Sequence, residues 1–200
     1  MHENAMKEPA RMIVLASSSP RRKELLHLTG LTFRVDRAEY EETMDLNLPP
    51  RRLARHLSLE KARSVAPKYS DAIIIAADTF ILFRGKPIGK PQNMREARRM
   101  LGMLNGKTHS VITGFTVMDT LTGKGISKAV ETKVHFRRLT ACEITSYVRS
   151  KEPLDKAGAY AIQGLGAVIV KDIEGDYFNV IGLPLSSLAE VLKKFGVRML

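Results

Sequence analysis

Residues 12–22 read Met12-Ile13-Val14-Leu15-Ala16-Ser17-Ser18-Ser19-Pro20-Arg21-Arg22, and the order of these side chains decides the fold class. The apolar run 12–16 has the length and composition of a strand buried on both faces. The serines and proline behind it combine a turn with a helix start, with Ser19 as N-cap and Pro20 at the first helical position. Leu25, Leu26 and Leu28 give that helix an apolar side, and Gly30 stops it.

The same alternation continues along the chain. Residues 50–66 predict a helix, with Leu53, His56/Leu57 and Lys61 three to four positions apart and Pro67 just beyond. Ala72-Ile73-Ile74-Ile75-Ala76-Ala77 is a second buried strand that stops at Asp78-Thr79. A loop holding Gly85, Pro87, Gly89 and Pro91 leads to a helix over 93–104, which ends near Asn105-Gly106. His109 to Asp119 and Ala129 to Arg137 are extended, β-branched stretches expected to pair. Residues 140–150 read as helix, 166–171 and 177–181 as strands around a turn at Glu174-Gly175, and 184–195 as a last helix opened by Pro184. Helices interleaved with strands specify an α/β layered domain. With no repeat, low-complexity tract or linker, residues 11–200 read as one domain and residues 1–10 as a loose extension.

Composition narrows the class of function. The chain has 200 residues, 44% hydrophobic and 26% charged, enough to bury a core without disulfides or structural metal. Cys142 is the single cysteine, which excludes an intramolecular disulfide and any zinc site with two cysteine ligands. No apolar run approaches the roughly 20 residues of a membrane span. The mixed charges of residues 1–11, followed by only five apolar residues, are not those of a signal peptide, so a reducing cytoplasm is expected. The net charge of +11 favours polyanionic partners. Aromatic residues are only 6% with no tryptophan, so the stacking surface of a single-strand binder is missing and nucleic acid is disfavoured.

Ligands of open α/β sheets gather beyond the carboxyl ends of the strands, and both buried strands end in polar signatures. Ser17 to Arg22 places hydroxyls, unpaired helix N–H groups and two guanidinium groups where a phosphate would sit. Arginines in a first helical turn oppose the helix dipole, a local cost that a bound polyphosphate reverses. Asp78, at the edge of an Ile-rich strand, is placed to act as general base or to ligate a divalent metal. Lys86 and Lys90 stand on a Gly/Pro-stiffened loop that lacks the Walker spacing. Asp36, Glu39, Glu41, Glu42 and Asp45 form an acidic stretch. His27, His56, His109 and His135 lack ligand spacing, and there is no nucleophile elbow.

Taken together, Ser17-Ser18-Ser19-Pro20-Arg21-Arg22, Glu60-Lys61-Ala62, Ala77-Asp78-Thr79, Gly89-Lys90-Pro91, Asp155-Lys156-Ala157-Gly158-Ala159-Tyr160-Ala161-Ile162-Gln163-Gly164 and Gly182-Leu183-Pro184-Leu185 resemble the Maf family of nucleoside triphosphate pyrophosphatases. The likeness runs in order from about residue 12 to 195. It implies a mixed central sheet flanked by helices, of the Maf/inosine triphosphatase-like kind, with a nucleotide cleft at the carboxyl ends of the strands. It also implies hydrolysis of a nucleoside triphosphate to monophosphate and pyrophosphate, a divalent cation (Mg²⁺ or Mn²⁺), and a cytoplasmic protein that is often a homodimer. By motif, Asp78 becomes the proton acceptor; Ser17, Arg21, Arg22, Lys61 and Lys90 hold the triphosphate; Glu42 helps Asp78 with metal. The Tyr-Ala-Ile-Gln-Gly stretch resembles the branch that prefers dTTP and UTP, in which Arg21, Thr79 and Gln163 are tied to base selection. The Gln163 amide, with a donor and an acceptor, suits the O4/N3–H edge of uracil or thymine. The alternatives are the same reaction on 7-methyl-GTP or ITP, and a nucleotide- or nucleic-acid-binding regulator of cell division.

Overall fold

The computed structural model describes residues 11–40 and 46–199. The opening segment forms strand β1 (Met12–Ala16) and helix α1 (Pro20–His27), with the Ser19 side chain accepting from the Arg22 N–H as expected of the N-cap. β2 (Arg34–Asp36) follows, then α2 (Pro50–Val65), β3 (Ala72–Phe83), β4 (Lys86–Ile88), α3 (Met94–Leu104), β5 (Thr108–Asp119), β6 (Gly125–Phe136), α4 (Ala141–Arg149), β7 (Val170–Glu174), α5 (Tyr177–Ile181) and α6 (Leu185–Lys193). The strands make one mixed sheet ordered β2-β1-β3-β5-β6-β7, with β4 attached to β3. β1 is parallel to β2 and β3, and the later pairings are antiparallel.

Alternation along β3 sorts the core into two layers. Ile73, Ile75 and Ala77 pack with Leu25, Leu26, Leu188 and Val191, whereas Ile74 and Ala76 pack with Val14, Ala62 and Val65. Burial on both faces explains why β1 and β3 are unbroken apolar runs rather than alternating ones.

β3 does not stop at Asp78-Thr79. It runs on to Phe83 because β5 stays paired with it from Ile73 through Leu82. On its other edge β3 is paired with β1 only as far as Ile75 and with β4 only from Ile81. Among the described residues, 76–80 therefore have a ladder partner on the β5 side alone. The sheet has a notch there, with Asp78 at its centre.

Other expectations change as well: Leu28, expected on the apolar side of α1, is exposed and lies just past its end, and residues 86–88, expected within a loop, form β4 against β3. Residues 177–181 are α5 rather than a strand. The Asp176 carboxylate caps the Asn179 N–H at 3.1 Å, and the buried Asn179 side-chain amide donates to the Val111 carbonyl (3.1 Å) and to Thr132 Oγ1 (3.0 Å). These tertiary anchors override the β preference of Tyr177, Phe178, Val180 and Ile181. Residues 164–168 are a 3-10 turn, because Glu152 accepts from the Leu165 and Gly166 N–H groups (3.0 Å each), and the strand starts only at Val170.

Candidate active site

The turn after β1 borders the notch. Arg22 reaches across it as a clasp. Its Nε donates to the Gly182 carbonyl at 2.9 Å, Nη1 to Ser17 Oγ at 3.3 Å and Nη2 to Thr79 Oγ1 at 3.0 Å. One guanidinium so joins α1, β3 and the loop between α5 and α6. Gly182 has φ +126, a value that L side chains rarely adopt. Ser17 is buried and its Oγ also accepts from the Ser19 N–H at 3.3 Å.

Asp78 and Thr79 are neighbours in a strand and so point to opposite faces. Thr79 faces α1, whereas Asp78 faces α2, where its Oδ1 accepts a hydrogen bond from Lys61 Nζ. Asp78 is only 3% exposed, and its Oδ2 has no hydrogen-bond partner. A buried carboxylate with one oxygen held by an ammonium and the other unsatisfied is costly unless a ligand, metal or water completes it.

The approach of α2 that makes this pair is set by Gly114, which lies opposite Asp78 in the β3–β5 ladder. A Cβ there would stand 1.9 Å from the Ala54 carbonyl oxygen of α2. Ser58, one turn on from Ala54, is tied to Thr116 of β5 at 2.9 Å, and Lys61 follows on the same face of the helix.

The notch opens into a cleft with two lobes that share Arg21, Lys90 and Asp155. The outer lobe, about 410 Å³, is lined by Ser17, Ser18, Ser19, Arg22, Arg37 and Lys61 as well as by the shared residues. It is rich in cations and hydroxyls, the lining that a polyphosphate requires. The inner lobe has a mixed wall, with the apolar Ile81, Val111, Ile162 and Ile181 beside the polar Thr79, Lys156, Tyr160 and Gln163, which offers a planar base both packing and hydrogen bonds. Asp155 sits at the junction, where it accepts from Arg21 Nη1 at 3.2 Å and from Lys156 at 2.6 Å; the two cations outweigh burial and hold its carboxyl below the usual carboxylate range.

The segment that carries Asp155 and Gln163 is fastened to the body at several points. The Gly158 N–H donates to the Gly89 carbonyl at 2.9 Å, which ties the inner-lobe side of the cleft to the residue preceding Lys90. Gly158 has φ +66, and a Cβ would lie 2.2 Å from the Ile81 side chain. The Ala161 N–H donates to Tyr147 Oη at 3.2 Å, and Tyr160 Oη bonds to His109 Nε2 at 2.8 Å. Burial lowers His109 from its usual value to about 4, aided by the charge of His135, and raises the Tyr160 hydroxyl.

Ser17, Arg21, Arg22, Lys61, Asp78, Thr79, Lys90 and Gln163 thus surround one notch and its two lobes. Glu42 lies outside the described residues, as do Glu41, Asp45 and the extension 1–10. Among the described residues there is no cluster of three or more His, Cys, Asp or Glu side chains able to hold a metal. Reasoning from sequence assigned no role to Thr113, Gly114, Asp155 or Tyr160. Only the last two carried a signal, their place in the 155–164 motif.

Comparison with known proteins identifies the family. The model of the family described as Maf-like protein matches residues 12–195. A Methanosarcina barkeri protein named dTTP/UTP pyrophosphatase is 48% identical over 94% of this chain and 95% of its own length. Relatives of the same name from Moorella thermoacetica and Bacillus anthracis are 48% and 46% identical, over 92% and 94% of this chain and 95% and 97% of their own. Among solved structures, a HAM1 protein from Coxiella burnetii is similar in fold, with a TM-score of 0.54, 16% identity and coverage of 92% of this chain and 98% of that one.

Proposed function

The chain belongs to the Maf-like protein family, and from that premise we propose that it hydrolyses dTTP and UTP to the nucleoside monophosphate and pyrophosphate. The observation that carries the reading is the buried Asp78–Lys61 pair, whose lysine lines a cationic lobe that adjoins a second lobe of mixed character. The activity named for the relatives supports the substrate choice.

The triphosphate carries nearly four negative charges, which Arg21, Lys61 and Lys90 around the outer lobe would meet with charge-assisted hydrogen bonds. Arg22, which donates to oxygens of Ser17, Thr79 and Gly182, fixes the walls there. The base enters the inner lobe, which Ile81, Tyr160 and Gln163 help to line. Asp78 Oδ2 takes a proton from the water that attacks the α-phosphorus, while Lys61 keeps the carboxylate oriented. The departing pyrophosphate is stabilised by the same cations that bound it.

The residues present fit a divalent cation. Mg²⁺ asks one or two carboxylates of a protein and takes the rest of its shell from phosphate and water, and the unsatisfied Asp78 Oδ2 supplies one. Such an ion would neutralise charge on the phosphates and lower the pKa of bound water.

The test is pyrophosphate release from a panel of dTTP, UTP, dCTP, ITP and 7-methyl-GTP with Mg²⁺ or Mn²⁺. The expected ranking puts dTTP and UTP first. Preferential cleavage of 7-methyl-GTP or ITP overturns the substrate assignment, and no release from any of them overturns the enzyme.

A further inference from the structure

We propose that Thr113, a residue the substrate does not reach, decides base choice by fixing the polarity of Thr79. With it in place, the inner lobe accepts a base with a ring N–H, as in uracil and thymine, and rejects one with a bare ring nitrogen there, as in cytosine. This rests on the pyrophosphatase reading above.

The direction of each hydrogen bond follows from the ends of a chain. At one end is the main-chain carbonyl of Asn179, which can only accept, 2.9 Å from Thr113 Oγ1. The one hydroxyl hydrogen of Thr113 is therefore committed to it. Thr79 Oγ1 lies 2.9 Å from Thr113 Oγ1, so in that bond Thr79 must donate. At the other end Arg22 Nη2, which can only donate, sits 3.0 Å from Thr79 Oγ1. Thr79 thus spends its single hydrogen on β5 and receives one bond from Arg22. The second lone pair of its oxygen remains, in a residue that lines the inner lobe. Towards the base it is an acceptor only.

The far end of the relay does not give way. Asn179 and Thr113 are fully buried, so no water offers Thr113 another partner. The Asn179 N–H is capped by Asp176 and its side-chain amide donates to Val111 and Thr132. Arg21 and Gln163, which line the same lobe, supply donors for base carbonyls beside the N–H. A cytosine ring nitrogen would instead set one lone pair against another.

The test compares kcat/KM for dTTP and dCTP in the wild-type protein, Thr113→Val and Thr113→Ser. Valine keeps the shape but lets the Thr79 hydroxyl turn and donate into the lobe. The dTTP/dCTP ratio is expected to fall on the order of tenfold, the worth of about one hydrogen bond, mainly through KM. Serine keeps the relay and is expected to keep the wild-type ratio. A Thr113→Val protein that cleaves dTTP with an unchanged ratio overturns the inference alone. A second measurement needs no variant: wild-type protein should cleave N3-methyl-dTTP at least several-fold more slowly than dTTP, and equal rates would refute the acceptor role. Wild-type protein releasing no pyrophosphate from dTTP or UTP removes the reading underneath, and the inference with it.

Discussion

Asp78 owes its chemistry to two neighbours that treat its oxygens differently. Lys61 holds Oδ1, and nothing in the described protein holds Oδ2. Asp78→Asn keeps the shape and removes the proton acceptor, so turnover should drop on the order of 10²–10⁴-fold with nucleotide binding retained; an unchanged rate of pyrophosphate release takes Asp78 out of the mechanism. His109 offers a second prediction at this scale. Its folded value of about 4 lies below the ordinary 6.5 because burial disfavours the imidazolium. Between those values the unfolded chain binds more protons than the native one, so stability rises with pH across this window and is lost as pH falls through it. The full linkage is about 3 kcal/mol at most. His109→Gln keeps a partner for Tyr160 and removes the titration, and urea midpoints between pH 7 and 4 should then decline less steeply than in wild type. Asp78 stands out in the sequence because a carboxylate follows the apolar run Ile73–Ala77 at the edge of a core, and the structure buries it against Lys61. The Arg22 clasp does not stand out, since Gly182 is 160 positions away and no local pattern announces it.

At the scale of elements, β1, α1, α2 and α3 follow from short apolar runs, the Ser-Pro cap and three-to-four spacing, signals that act within a few residues. The polar Asp78-Thr79 pair looks like a strand end in sequence; only the long β5 shows that β3 continues. The side chains of α5 favour a strand, while the contacts that wind it into a helix come from β5 and β6. Gly114 belongs to this scale as well. Gly114→Ala would drive a methyl into the Ala54 and Arg55 main chain, so α2 must lift from the sheet and take Lys61 with it. A loss of about 1–3 kcal/mol in stability is expected, together with a fall in kcat that Gly102→Ala does not share. Gly102 lies within α3, and a Cβ there meets nothing within 4 Å; alanine should instead add about 0.5–1 kcal/mol. Equal urea midpoints for the two variants would contradict the close packing of α2.

For the whole molecule, the net charge of +11 surrounds a cleft whose outer lobe is itself cationic. Raising ionic strength from about 0.01 to about 1 M shortens the screening length from roughly 30 to roughly 3 Å. KM for the triphosphate should rise steeply over that range while kcat changes little, which steady-state kinetics at fixed metal would show. Chelation with EDTA should stop pyrophosphate release without moving the thermal midpoint, because the described residues contain no cluster that could hold a structural metal. A lowered midpoint would place the ion in the fold instead.

The break in the ladder beside Ala76 to Phe80 sets stability and activity against each other along the same few peptide groups. Extending β1 by two or three residues of strand-forming sequence would zip that edge closed, satisfy more of the main chain and make a tougher, heat-resistant barrier of the sheet. The same zipper would fill the gap beside Asp78, the residue proposed to act on the substrate. Selection for ruggedness alone would therefore drive this architecture toward an inert slab, and a working enzyme of this kind must keep its central seam unfinished.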